Sequence, residues 1–301
     1  MKKRKRGMDR QTREGLLFVS PFILGTLVFF LYPVLFSLVI SFGEYTIVKG
    51  ASTFTFQGFG HYVNAFIEDT SFTAIFQSVT KDSVINTLLI VVFSLIIAIF
   101  LNKPFKGRGF YRTVYFLPFL LGTGYVMSIL LGMDVGEQAM NMARGILLPD
   151  GVREYLGTTL TTLASAFLNR ITYVFWRSGV PIILFLSGLQ NINVSLYESA
   201  RVDGATEWEM LWKITLPMVS PIMLLVIVYV VIDSFGDTGN AMVSYFFEQA
   251  FRKQQFSYSA AISWIYFVFV LLLVGLIFLI MKGFIHSEQN EPRRRKRGRA
   301  A

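Results

Sequence analysis

The chain has 301 residues, of which 53% are hydrophobic and 16% aromatic, while only 16% are charged. Soluble domains carry about a quarter charged residues, so this composition indicates an integral membrane protein. Cysteine is absent, which excludes disulfides and thiolate metal sites, and two histidines, His61 and His286, are too few and too far apart to suggest a metal cluster. The formal charge of +9 fits either nucleic-acid binding or membrane orientation, and its distribution along the chain decides between them.

Six apolar segments are predicted to cross the membrane as helices, since about 20 apolar residues span the hydrocarbon core. In chain order they are residues 16–42, 84–101, 113–133, 173–189, 218–232 and 260–281. Arg177 interrupts the fourth segment and Asp233 ends the fifth, so these two segments have the weakest apolar signal. The predicted fold class is an all-α polytopic membrane protein with six transmembrane helices.

The distribution of basic residues predicts the orientation. Seven precede the first apolar run, which is too long for a signal-peptide core and lacks a small-x-small cleavage site, so we interpret it as an uncleaved signal anchor. Six spans place both termini on one side, and that side carries 20 Lys and Arg residues against 6 on the other. The positive-inside rule then predicts cytoplasmic termini and a cytoplasmic loop between the fourth and fifth spans.

The predicted organisation is a basic N-terminus (1–14), a transmembrane domain (15–285) and a basic tail (286–301). The tail run RRRKRGR at 293–299 could bind nucleic acid or anionic lipid, but a topology determinant lying against the headgroups is the favoured interpretation. Two loops on the opposite side, 43–83 and 134–172, mix aromatic and polar residues and are expected to be packed or partner-facing caps.

A polar interruption separates the fourth and fifth spans and reads SLYESARVDGATEWEMLWKITLP at 195–217. The spacings from Ser195 to Glu198 and from Thr206 to Glu209 are those of capping boxes, and they predict two short helices. Gly204 lies between them and predicts the break, because glycine adopts a left-handed backbone at a helix C-terminus without steric cost.

The sequence shows no motif of a catalytic or metal-binding site. It contains no G-x-x-x-x-G-K-[ST] phosphate loop, no nucleophile with a nearby base, no paired intramembrane carboxylates and no metal ligands at helical spacing. We therefore predict no catalytic residue and no metal site, and any uphill movement must take its energy from another protein.

The spacing from Glu198 to Pro217, E-S-A-x3-G-x9-I-x-L-P, resembles the EAA motif of permease subunits of ATP-binding-cassette importers, E-A-A-x3-G-x9-I-x-L-P. Ser199 replaces the alanine at the second position of the motif, a small-for-small change. Pro217 also fits the first turn of the next helix. Further similarity to the carbohydrate-uptake branch related to the maltose permeases lies in GLQNI at 188–192, LYE at 196–198, VDGA at 202–205, FFLYP at 29–33, NT at 86–87 and FLP at 116–118. After the fifth span the family often has T-x-G-G-P, whereas this chain reads DTGN at 237–240.

The resemblance implies the type I permease fold in a bacterial cytoplasmic membrane and alternating-access import of a sugar or oligosaccharide. Implied partners are a second, similar permease chain, two ATPase subunits that carry ATP and Mg, an extracytoplasmic solute-binding protein and membrane lipid, with no nucleic acid and no cofactor on this chain. Residues 190–217 would be the coupling loop, seated in a groove of the ATPase. Its implied ATPase-coupling residues are Glu198, Ser199, Ala200, Asp203, Gly204 and Ala205. Alternatively, Glu198 only completes a capping box.

Ionisable residues within spans are costly and favour a functional role. At 1.5 Å per residue, Arg177 and Asp233 are expected roughly 20 and 24 Å above the cytoplasmic ends of their helices, which would allow them to pair. One interpretation places them with Trp176, Tyr229 and Trp264 around an outer-half sugar path, where aromatic faces stack on pyranose rings. The other is a structural ion pair near the headgroups or simple snorkelling.

Two alternative functions remain. One is a permease for another solute, such as glycerol phosphate, a polyamine or a peptide. A phosphate ligand would favour clusters of basic residues facing the lumen, and a polyamine would favour clusters of carboxylates. Neither kind of cluster is visible in the sequence. The other is an intramembrane enzyme or sensor, which would purify without an ATPase subunit.

Overall fold

The structure is a computed structural model and describes residues 10–48, 51–104, 106–122, 150–237 and 239–297. The described helices are α1 (Arg10–Thr26), α2 (Tyr32–Ile40), α3 (Gly60–Ile67), α4 (Thr70–Asn102), α5 (Arg108–Gly122), α6 (Asp150–Arg177), α7 (Gly179–Gln190), α8 (Val194–Val202), α9 (Glu207–Met210), α10 (Leu216–Gly236), α11 (Ala241–Phe247) and α12 (Phe256–Arg297). Short π-helical turns at Leu27–Leu31 and Leu211–Thr215 join α1 to α2 and α9 to α10, and a third at Glu248–Arg252 extends α11.

Four of the six predicted spans are seen as single helical stretches in the described part of the chain, and a fifth corresponds to a bent pair of helices. Four helical stretches are long and apolar enough to cross a membrane: Glu14–Ile40, Thr70–Asn102, Glu207–Gly236 and Phe256–Lys282. A fifth forms if Gly157–Arg177 and Gly179–Gln190, which meet at a bend of 52°, cross together. The third predicted span, 113–133, begins in α5 and continues outside the described residues.

The second span is longer than its apolar run predicted, because α4 begins at Thr70 and includes a polar first half. Asp69 explains where it starts: its Oδ1 accepts the backbone N–H of Phe72 at 2.9 Å, which caps one of the free donors of the first turn. The predicted cap at 43–83 therefore contains the first turns of a helix long and apolar enough to cross a membrane.

A β-hairpin, which the all-α prediction did not include, follows the first span. Its strands β1 (Gly43–Val48) and β2 (Ala51–Phe56) pair antiparallel, with Thr46 opposite Thr53. The two threonine hydroxyls lie 2.7 Å apart across the strands. The strands are rich in Thr, Tyr, Phe and Val, residues that suit a pleated surface.

The chain divides into two compact units, Met1–Gln77 with Thr238–Phe269, and Ser78–Asp237 with Val270–Ala301. The core of the second unit is built from α4, α7 and α10, with Phe185 and Val226 fully buried. Helices α7 and α10 approach closely at Gly188, where an added Cβ would lie 2.8 Å from Ile222 Cγ1. This contact fixes the two helices that flank the polar interruption.

Candidate coupling segment and transmembrane charge cluster

The segment 190–217 folds as the two short helices α8 and α9, but the first is capped differently from the prediction. Asn193 has the extended backbone of an N-cap, and its Oδ1 accepts the N–H of Ser195 at 3.1 Å. Ser195 thus lies inside α8, and the predicted box between Ser195 and Glu198 is wrong. Asn193 prevails because asparagine is among the strongest N-cap residues and stands one residue before the helix.

The second predicted box is confirmed. The Thr206 N–H donates to Glu209 Oε2 at 3.0 Å, and the Glu209 N–H donates to Thr206 Oγ1 at 3.3 Å. Each residue satisfies a backbone donor of the other, so α9 has a defined start despite being a single turn.

The break between α8 and α9 lies at Gly204, as predicted. Gly204 has a φ of 80°, in the left-handed region. The Ala205 N–H donates to Ala200 O at 2.9 Å and the Gly204 N–H donates to Arg201 O at 3.1 Å. These are the two hydrogen bonds of a Schellman motif, which explains why a glycine stands at this position.

Tyr197 anchors α8 to the start of the next span. Its hydroxyl lies 2.9 Å from Thr215 Oγ1, and Thr215 Oγ1 in turn donates to Met210 O at 3.3 Å. Either hydroxyl can donate in the bond between Tyr197 and Thr215. Tyr197 also packs against the core of the second unit. Sequence reasoning missed this contact, whose only local signal is an aromatic residue within a polar segment.

Large apolar side chains are exposed on this segment. Val202 is 88% exposed and Trp208 is 67% exposed. Trp208 and Trp212 meet edge to face with ring centroids 5.5 Å apart. Exposed apolar residues grouped on a polar segment are typical of a surface that binds another protein.

The predicted coupling residues lie together on this segment. Ala200 and Ala205 are half-buried, whereas the other four are exposed. The Ser199 hydroxyl donates to Ser195 O at 2.9 Å within α8. The Glu198 carboxylate makes no hydrogen bond or ion pair with any residue that the structure describes, so it is available to a partner.

Glu207, at the start of α9, joins the segment to the loop after α4. Its Oε2 lies 3.7 Å from Lys103 Nζ, and its Oε1 accepts from Arg201 at 3.3 Å. All three side chains are more than half exposed, so each pair contributes little to stability, at most about 1 kcal/mol.

The predicted pairing of Arg177 with Asp233 is present in the structure. Arg177 ends α6, and its Nη1 donates to Asp233 Oδ2 at 2.8 Å. Its Nη2 makes a second ion pair with Asp237, and its guanidinium lies 5.7 Å from the centre of the Tyr173 ring. Asp233 and Asp237 are one turn apart, at the end of α10 and just beyond it, so both can face the same cation. One arginine therefore meets two carboxylates.

Asp237 was not predicted, although it belongs to the DTGN stretch where the sequence departs from the family pattern. Asn240 from the same stretch has a separate role in the first unit. Its Oδ1 caps α11 by accepting the Met242 N–H at 2.9 Å, and its Nδ2 donates to the Tyr266 hydroxyl at 2.9 Å. The departure thus supplies one ion-pair partner and one helix cap.

The remaining residues of the predicted sugar path are distributed over both units. Tyr229 lies one turn before Asp233 on α10 and packs against the core of the second unit. Trp176 precedes Arg177 and is half-buried. Trp264 belongs to the first unit, where its Nε1 donates to Ser37 Oγ at 3.1 Å. Their contact with a substrate stays a prediction.

Residues 83–289 match the family model described as binding-protein-dependent transport system inner membrane component. The chain is 32% identical over 297 residues to the arabinooligosaccharides transport system permease protein AraP of Bacillus subtilis (strain 168), covering 90% of this chain and 89% of AraP. It is 30% identical to the lactose transport system permease protein LacF of Rhizobium radiobacter, covering 88% of this chain and 92% of LacF.

The fold is similar to a chain of a solved structure, a bacterial alginate ABC transporter in complex with alginate pentasaccharide-bound periplasmic protein. The TM-score is 0.68 at 19% identity, over 91% of this chain and 96% of that chain. The fold is thus that of a type I importer permease. A multi-pass helical chain with this family match is a transport subunit and not an enzyme. The chain belongs to the family of binding-protein-dependent transport system inner membrane components.

Proposed function

We propose that the chain is a permease subunit of an ATP-binding-cassette importer that carries a sugar or oligosaccharide across the bacterial cytoplasmic membrane. The observation that carries the proposal is the coupling segment, where two capped helices meet at Gly204 and expose Val202, Trp208 and a Glu198 without a partner among the described residues. The relatives AraP and LacF, named for arabinooligosaccharides and lactose, support the substrate class.

ATP and Mg are bound by two separate ATPase subunits, whose closure moves the coupling segment. The helix from Glu207 to Gly236 continues through a π-helical turn into α10. Tyr197 ties α8 to the same helix through Thr215. Movement of α8 or α9 is thereby passed to a span that ends at the charge cluster, and the two membrane openings alternate.

We infer that both termini and the coupling segment are cytoplasmic. The distribution of 20 basic residues against 6 supports this orientation. Because α4 crosses once, Asp69 before its start and Lys103 after its end lie on opposite sides of the membrane. The Asp69 side is then extracytoplasmic, where a solute-binding protein delivers the substrate, and a second, similar permease chain completes the pore.

The charge cluster favours a sugar over a phosphorylated solute. Arg177 is neutralised by Asp233 and Asp237, and Arg170 pairs with Asp82 at 2.6 Å. A phosphate ligand needs unpaired cations, whereas carboxylates and paired guanidinium groups bind sugar hydroxyls. We place Trp176, Tyr229 and Trp264 on the substrate path together with Arg177 and Asp233.

Uptake by the assembled complex tests this function. The chain, its partner permease, the ATPase subunits and the binding protein are reconstituted in vesicles and offered a panel of oligosaccharides. ATP-dependent uptake of at least one is expected. If the complex takes up only glycerol phosphate, a polyamine or a peptide, the proposed sugar substrate class is wrong. A chain that purifies alone with hydrolytic activity would overturn the transport function.

A further inference from the structure

A cavity of about 570 Å³ lies within the first unit. Its walls come from β1, α3, the first residues of α4, the π-helical turn after α11 and the first turn of α12. By the orientation inferred above, the start of α4 places it on the extracytoplasmic side. Its volume is that of a small-molecule site, which ranges over about 300–1,000 Å³.

The cavity is held in shape by hydrogen bonds between distant parts of the unit. Tyr245 and Tyr258 both donate to Asp69 Oδ2, each at 2.5 Å. The Tyr45 N–H donates to Ser257 Oγ at 2.8 Å, which attaches β1 to α12. A site whose walls are fixed before a ligand arrives loses little entropy on binding.

Asp69 is ionised within this framework. Burial acts to raise the pKa of its carboxyl group, but hydrogen bonds from Tyr245, Tyr258 and the N–H groups of Phe72 and Ser71 outweigh burial and hold the pKa below its ordinary value. The Asp69 charge therefore serves the framework, and the binding capacity of the cavity comes from other side chains.

Two carboxylates of the lining keep an oxygen available. Glu44 Oε2 accepts from Gln57 at 2.8 Å, and Glu68 Oε2 accepts from Asn64 at 2.6 Å. In the described parts of the chain, the Oε1 atom of neither residue has a hydrogen-bond or ion-pair partner. These amide contacts fix the orientation of each carboxylate.

Ring faces and amide groups complete the lining. Tyr45, Tyr258 and His61 supply rings, and Gln249, only 2% exposed, supplies a buried amide. Lys253 Nζ lies 3.9 Å from Glu248 Oε1, and this loose ion pair leaves the ammonium group able to donate a hydrogen bond to a ligand. The lining contains three carboxylates, those of Glu44, Glu68 and Asp69, and one ammonium group, that of Lys253, so it is net negative.

We propose that this cavity is an outer binding site for an uncharged saccharide, an inference that rests on the proposed sugar-import function. Carboxylates and amides together accept from and donate to hydroxyl groups, and tyrosine rings pack on the apolar faces of pyranoses. The net negative lining repels a uronate or a sugar phosphate. The site therefore discriminates against acidic saccharides before they reach the membrane.

Saccharide binding without transport tests the site. The complete transporter is placed in lipid nanodiscs without its binding protein, and maltotriose and an alginate trisaccharide are compared by saturation-transfer-difference NMR. Maltotriose is expected to bind and the uronate trisaccharide to bind about tenfold more weakly. The double variant Glu44→Ala with Glu68→Ala is expected to weaken maltotriose about fivefold or more, since two oriented acceptors are lost.

A second variant keeps the test independent of folding. Glu44→Gln with Glu68→Gln retains the shape and removes the charge, so the preference for maltotriose over the uronate should shrink. Asp82→Asn, which alters a carboxylate of the second unit, is the matched control and should leave the maltotriose affinity unchanged. Equal maltotriose binding by the wild type and the Ala variant would overturn the site.

Three further outcomes distinguish a saccharide site from a protein-docking surface and from a failure of the proposed transport function. If a lysine-rich peptide binds the wild type, loses affinity in the Gln variant and saccharides do not bind, the cavity is a protein-docking site and the proposal fails. Intact saccharide uptake with no binding in the cavity would refute this inference alone. Absence of uptake for every saccharide would refute the proposed function.

Discussion

The hydroxyl groups of Tyr197 and Thr215 lie 2.9 Å apart and join the first coupling helix to the membrane span that follows it. Removing this bond should weaken the transfer of movement without unfolding the chain, because one neutral hydrogen bond contributes only about 1 kcal/mol. We expect Tyr197→Phe to keep ATP hydrolysis by the assembled complex and to lower the sugar taken up per ATP several-fold.

The ratio of uptake to hydrolysis in proteoliposomes measures this effect. Tyr32→Phe is the control, since Tyr32 is exposed and has no hydrogen-bond partner among the described residues. An unchanged ratio in Tyr197→Phe would show that the bond is only structural.

Gly204→Asp should abolish uptake while the chain still inserts into the membrane. An L-residue at a φ of 80° is strained by about 1–3 kcal/mol, and the new carboxylate adds charge to the surface that we propose contacts the ATPase. Co-purification of the ATPase subunits and uptake measure the loss. Gly204→Asn is the matched control, because asparagine has nearly the shape of aspartate and also tolerates the left-handed region but carries no charge, and it should retain much of the activity. Normal uptake by Gly204→Asp would contradict the coupling role.

The charge cluster at the end of α10 should be required for assembly. Arg177→Met leaves Asp233 and Asp237 without their cation, and removing one partner of a partly buried pair costs up to about 3–5 kcal/mol. We expect a marked fall in assembled complex by size-exclusion chromatography. Asp233→Asn should be milder, because Asp237 still neutralises the arginine.

Exchanging the charges of Arg177 and Asp233 distinguishes a role of this ion pair in assembly from a role in substrate binding. Arg177→Asp combined with Asp233→Arg should restore assembly, and the half-saturation concentration for uptake should rise because the polar groups near the proposed path are rearranged. Restored assembly with unchanged substrate affinity would identify a purely structural ion pair.

Gly188→Ala should destabilise the packing of α7 on α10. The new Cβ would lie 2.8 Å from Ile222 Cγ1, and overpacking of this kind costs about 1–3 kcal/mol. A lower melting temperature of the purified complex is expected. Adding Ile222→Ala should recover part of the loss, while Gly275→Ala, with no atom within 4 Å of the new Cβ, should have little effect.

The stabilising contribution of Asp69 should depend on pH. The folded pKa of Asp69 lies below the ordinary value of 3.8, so its contribution is complete above that value and is lost as the pH falls through the folded pKa. Thermal unfolding should therefore show Asp69→Asn less stable than the wild type at pH 5–8, with a difference that shrinks in strong acid. A difference that is constant down to pH 2 would contradict this role of the Asp69 charge.

Sequence patterns were sufficient to predict local structure where the residues that determine it lie within one or two helical turns of each other. The Thr206–Glu209 box and the left-handed Gly204 depend only on adjacent residues, and both are confirmed. The prediction that Ser195 caps α8 was wrong because two nearby residues can serve as the N-cap, and Asn193 is the one that does so.

Contacts between distant segments could not be predicted in the same way. Asp237 joins the Arg177 pair only because α6 and α10 meet, and Tyr197 finds Thr215 only when the coupling segment folds back. The spacing of ionisable residues along the spans did predict that Arg177 and Asp233 could pair, since helical rise converts sequence position into depth.

The π-helical turn at Leu211–Thr215 also sets the rotational phase between α9 and the span. Its wider hydrogen bond, from the Leu216 N–H to Leu211 O, holds one more residue than an α-helical turn would. Loss of a single residue there would rotate Trp208 by about 100° relative to Asp233 on α10. The number of residues in this turn therefore determines the direction in which a displacement of α9 would move α10 within the membrane.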